Sequence, residues 1–189
     1  MKVGIKHLTY APYTSGGDGN AVTYGTGVYL PDYMVRADMG EERSDVDMYA
    51  DDHKIDSDNS MTAQTLTLEL ANMTSAMEEA FLGYTVSSSE VSVTDDPAPF
   101  VGVGFVRKER YKGTVTYTGY WFYKVQFGLD SESVNTKGEN LEFQTHSLTG
   151  SSVAVTLTSG GKGIFSVHKS ETTEAAALTW LKGKAGIST

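Results

Sequence analysis

Alternation of apolar and polar residues at period two dominates this chain, the signature of strands with one buried face. Residues 64–70 are the cleanest stretch: Leu66, Leu68 and Leu70 point one way, Thr65, Thr67 and Glu69 the other. Residues 3–9 put Val3, Ile5 and His7 on one face. Residues 113–127 put Val115, Tyr117, Trp121, Tyr123, Val125 and Phe127 on one face. The other face there carries Thr114, Thr116, Thr118, Tyr120, Phe122, Lys124 and Gln126. Further strands are predicted at 139–145 (Leu141 and Phe143 against Glu142 and Gln144), at 153–157 (Val153, Val155, Leu157) and at 163–168.

Two stretches change period. Over 73–82, Met73, Ala76, Met77, Ala80 and Phe81 follow the spacing of one buried helical stripe. Asn72 or Ser75 is placed to cap its start, Ser75 and Glu78 have capping-box spacing, and Gly83 stands where a terminating glycine belongs. A second helix is predicted over roughly 171–182, with Trp180 and Leu181 available to dock it. Many strands with one central and one C-terminal helix make a mainly β fold, a β-sandwich or partial barrel flanked by helices. No composition break or repeat divides residues 1–189, so a single domain is expected.

Composition narrows the function more than the fold. The chain has no cysteine, which excludes disulfides and thiolate metal sites. No apolar run is long enough for a signal peptide or a membrane span; the expectation is a soluble protein made in a cytoplasm, with no membrane partner. The formal charge of −9 argues against a phosphate-binding footprint, though not against a surface that nucleic acid passes without sticking.

Much of that charge lies in residues 38–58, where Asp38, Glu41, Glu42, Asp45, Asp47, Asp51, Asp52, Asp56 and Asp58 stand against only Arg43 and Lys54. A solvated loop or hairpin tip accounts for this, and so does a mobile arm at about 40–60 that orders on assembly. Asp56-Ser57-Asp58-Asn59-Ser60 opens like a calcium loop. Met61 then replaces the turn glycine and Thr67 the bidentate glutamate, so no metal is expected. Arg107, Lys108 and Arg110 form a small basic cluster around Glu109, either a charged strand edge or a patch that meets the acidic arm of a neighbour.

Catalytic motifs are missing. His7, His53, His146 and His168 are scattered. Gly102-Val103-Gly104 lacks the third glycine of a dinucleotide fingerprint, because Arg107 takes its place; it reads as a strand with two close backbone approaches. No enzyme activity and no cofactor are expected.

Several stretches in order resemble one family. They are Met48-Tyr49-Ala50-Asp51-Asp52 with Asp58-Asn59-Ser60; Leu66-Thr67-Leu68-Glu69-Leu70; and the helix ending in Leu82-Gly83. They continue with Gly102 to Arg107, with Tyr120 to Phe127, and with Thr136 to Thr145 followed by Leu148-Thr149-Gly150. The opening, Lys2 to Pro12 and then Tyr24-Gly25-Thr26-Gly27, fits as well. Together they are similar to the major tail proteins of long-tailed phages, the phi13/TP901-1-like group; the likeness is thinnest over 150–189. The resemblance implies a tail-tube β-sandwich or partial barrel that forms stacked hexameric rings in the virion. Its expected partners are further copies of itself, a tape-measure protein, and tail terminator and tail-tip proteins. DNA would pass through the lumen unbound. A tube protein of a contractile tail or a type VI-like secretion apparatus, and a monomeric ligand-binding barrel, are the alternatives.

Overall fold

A computed structural model describes residues 1–88, 90–130 and 145–188. The chain is mainly β with a central and a C-terminal helix, as the periodicities predict. In chain order the elements are β1 (Lys2–Ser15), β2 (Thr23–Tyr24), β3 (Val28–Leu30), β4 (Met34–Arg43), β5 (Val46–Ala50), β6 (His53–Asp58) and β7 (Met61–Leu70). There follow α1 (Ser75–Leu82), β8 (Thr85–Ser87), β9 (Glu90–Ser92), β10 (Phe100–Tyr111), β11 (Thr114–Leu129), β12 (His146–Ser152), β13 (Ser166–Glu171) and α2 (Glu174–Lys184). The main sheet runs β2–β1–β10–β11–β12–β7–β4, with β3 on β1 and β13 on β11. β4 curls back beside β1 without a ladder joining them, so the sheet is a barrel with an open seam.

Its interior is the larger core. Leu66, Leu68 and Leu70 of β7 are fully buried there, as their alternation predicts, with Val101, Val103 and Phe105 of β10. Each such leucine contributes about 2 kcal/mol of apolar burial. Helix α1 inserts Met77, Phe81 and Leu82 into this core, and Phe81 packs edge-on to Phe127 at 5.2 Å. Gly83 ends α1 in the left-handed region and donates its N–H to the Glu79 carbonyl. The N-cap is Thr74, not Asn72 or Ser75, and it makes no side-chain cap bond; Ala76, expected in the buried stripe, is exposed.

A smaller core lies on the outer side of β10 and β11, where α2 packs. The strict alternation expected for 113–127 breaks between the two cores. Val101 pairs with Val125 but Val103 pairs with Phe122, so β11 holds one extra residue around Tyr123 and Lys124. This bulge reverses the parity. Phe122, Val125 and Phe127 face the interior, whereas Trp121 and Tyr123 face α2. A second bulge corrects the 3–9 reading: between Lys6 and Thr9 strand β1 carries an extra residue, and His7 takes a φ of 65°. Ile5 packs against the interior, and after the bulge Leu8 and Tyr10 take over that side.

Three other expectations shift. Residues 153–157 are not a strand; Val153 is 43% exposed and Val155 makes only an isolated bridge to Ile164. The strand lies upstream as β12, whose inner positions Leu148, Gly150 and Ser152 are mostly too small to announce it. The last strand is Ser166–Glu171 rather than 163–168, and the second helix runs Glu174–Lys184, capped by the Thr173 hydroxyl accepting from Ala176 N–H. The strand expected at 139–145 and the stretch from Thr136 lie outside the described residues up to Thr145.

Candidate assembly surface

The acidic segment is a β-hairpin. Among the described residues β5 and β6 pair only with each other, beyond the ends of β4 and β7. Ala50 pairs with His53 across the two-residue turn Asp51-Asp52, and both aspartates have positive φ (52° and 62°). That is the tight hairpin turn whose twist suits the strands, and aspartate tolerates it better than most residues. Two of the clustered acids therefore serve the turn. Glu41 is held by Arg43 at 2.7 Å and Asp47 by Lys54 at 2.5 Å, while Glu42 and Asp45 are exposed where the hairpin leaves the body. Cross-strand pairing sets Val46 opposite Asp58 and Met48 opposite Asp56, so these four side chains share one face. Val46 and Met48 are 62% and 61% exposed. An apolar pair on a projecting hairpin stabilises nothing within the described chain.

The basic cluster does not form one patch. Alternation along β10 sends Arg107 and Glu109 to one face, where they pair at 2.7 Å, and Lys108 and Arg110 to the other. Lys108 lies over the Tyr117 ring. Arg107 lies over the Tyr120 ring, 4.8 Å from its centroid, and its Nε is buried without a hydrogen-bond partner. It lines a recess of about 410 Å³ in the seam between β1 and β4. Among the described residues β4 is unpaired on the side away from β7, β13 on the side away from β11, and β1 over residues 2–6. Three open edges are an invitation to pair with another chain.

The two sides of the sheet differ in cover. On β10 and β11, Gly104 and Gly119 let α2 approach: a Cβ on Gly104 would sit 2.5 Å from Leu181, and one on Gly119 2.8 Å from Trp180. Among the described residues no helix covers the outer face of β7 and β12. It carries hydroxyls instead, with Thr67 and Thr149 3.1 Å apart and Ser147 and Thr149 donating to Asp130 at 2.7 and 2.9 Å.

One partly buried polar cluster joins α2 to the body. His7 Nε2 lies 2.7 Å from Glu174 Oε1 and Nδ1 lies 2.8 Å from the Tyr29 hydroxyl. A carboxylate only accepts, so Nε2–H donates and, in the neutral ring, Nδ1 accepts from Tyr29. The hydrogen bond from His7, with Lys6 at 3.2 Å, holds the Glu174 carboxyl below its usual range. Burial pushes the Tyr24 phenol well up, and its hydroxyl is used structurally, donating to the Tyr123 carbonyl and accepting from Trp121 Nε1. Sequence reading passed over the His7 cluster because its members are far apart in the chain. Among the described residues no group of three or more His, Cys, Asp or Glu could hold a metal ion, and no helix is long and apolar enough to cross a membrane. No family model matches the chain, and no curated protein matches it.

Proposed function

We propose that the chain is the subunit of a phage tail tube, which closes into hexameric rings that stack into a conduit for DNA. The open strand edges carry the reading: β4, β13 and the start of β1 need partners, and ring closure supplies them without leaving a free edge. The β5–β6 hairpin, with its exposed apolar pair, is the arm that reaches a neighbouring subunit or ring. The hydroxyl-bearing face of β7 and β12 is suited to a lumen. Its charges include Glu69, Asp38 and Asp130, and its Arg36 is paired with Asp38 at 2.7 Å, so among the described residues acids outnumber cations there. The sequence resemblance supports the same reading and extends it to a tape-measure protein inside the tube and to terminator and tip proteins at its ends.

Light scattering on the purified chain tests the reading. Mass should rise with concentration well beyond a monomer, and deletion of Glu41 to Asp56 should leave a folded monomer. Unchanged assembly after that deletion would contradict the arm's role. A monomer at every concentration would favour a ligand-binding barrel instead.

A further inference from the structure

We propose that the recess in the seam between β1 and β4 receives the β5–β6 hairpin of a second copy of this chain. The inference rests on the self-assembly reading and names the contact. Ile5, Val35, Ala37, Met39 and Phe105 form the apolar walls of the recess. Val35 is there because of a bulge: Met34 pairs with Leu70 and Arg36 with Glu69, which leaves Val35 as the extra residue, 47% exposed. Three cationic side chains, Lys2, Arg36 and Arg107, also line the recess, against two acids that pair with them, Asp38 and Glu109. The recess therefore lacks an apolar filling and carries an excess of cations, which an acidic partner complements.

The hairpin offers both. Val46 and Met48 stand on one face directly across from Asp58 and Asp56. The carboxylates make only local bonds, Asp56 to Ser57 N–H and Asp58 to Ser60. Carboxylates flanking an apolar pair meet cations flanking apolar walls. The chain's own hairpin is badly placed to fill the recess. It leaves the body beyond Arg43, and at the rise of an extended strand that point lies about 25 Å along β4 from Val35. Among the described residues it also pairs with nothing but itself. The occupant is a neighbour's hairpin.

The absence of cysteine makes the contact easy to test. Met48→Cys, Val35→Cys and Tyr111→Cys each change an exposed residue, and Tyr111, at the β10–β11 turn, is the control. Copies of two sizes, one with each cysteine, are mixed and treated with a short bismaleimide. Cross-linked heterodimer from Met48→Cys with Val35→Cys should form at least tenfold faster than from Met48→Cys with Tyr111→Cys. Adding Asp56→Asn and Asp58→Asn to the hairpin copy should remove most of that advantage. Equal rates for the two pairs, or an advantage that survives loss of both carboxylates, would overturn the contact. If another protein fills the recess, Val35→Cys stays unlinked in the pure chain, which also overturns it. Rings or tubes seen in the same samples without selective linkage would sink this contact and leave the tube reading standing. Selective linkage without rings would do the reverse.

Discussion

The two halves of the sheet are built alike on the inside and differently on the outside. Leu66, Leu68 and Leu70 of β7 and Val101, Val103 and Phe105 of β10 face one interior and are equally buried. Outside, β10 and β11 present glycines and Trp121 to a helix, whereas β7 and β12 present threonines and serines that bond to one another or to Asp130. The inner faces make the barrel; the outer faces decide its surroundings. A covered face needs α2 to satisfy it, and a hydroxyl face can meet water or a passing polyanion as it stands.

Cutting away the cover should have the largest effect. Trp121→Ala removes the buried ring between α2, Gly102 and Tyr24, and should cost about 4 kcal/mol in urea denaturation. A loss below about 1 kcal/mol would mean that α2 hardly depends on this face. Leu181→Ala should follow at about 3 kcal/mol, with α2 amides losing hydrogen-exchange protection before those of β7. Simultaneous loss in both would show that the halves do not separate.

The clasp at the start of α2 has a smaller effect, visible in pH. The Glu174 carboxyl is held below its ordinary value of 4.5, chiefly by the His7 hydrogen bond. A carboxyl depressed by folding stabilises the native state above the unfolded value, and that contribution disappears as pH falls through the folded value. Glu174→Gln should therefore flatten the stability profile below about pH 4.5 and cost less than about 1 kcal/mol at neutral pH, because the group is partly exposed. An unchanged acid limb would remove His7 and Glu174 from the account. On the uncovered face Thr149→Val should change stability by no more than about 0.5 kcal/mol, since water can replace the lost hydroxyl partners. A loss of several kcal/mol there would make the hydroxyl ladder structural.

This ordering parallels what the sequence makes legible. β7 keeps strict alternation and could be read residue by residue. β11 could not, because a single extra residue near Tyr123 moves Val125 and Phe127 to the opposite face from Trp121, and a bulge leaves no mark in a hydrophobic pattern. β12 was hidden because Gly150 sits where a Cβ would strike Phe127 at 2.6 Å, so the strand buries space rather than side chains. The two close approaches read at Gly102 and Gly104 are there, made by Trp121, Tyr24 and Leu181. Of the candidate surface, the charge was visible and a hairpin tip was one of the readings; the position of its turn and its apolar face were not. Arg107, Lys108 and Arg110 are close in sequence, but strand alternation parts Arg107 from the other two.

Electron microscopy of the purified full-length chain at high concentration tests the central claim most directly. Hollow tubes, or rings with six-fold symmetry, are the expected result, with the open edges of β4 and β13 closed between subunits. A uniform field of single particles the size of one chain, at every concentration and salt condition, would contradict it.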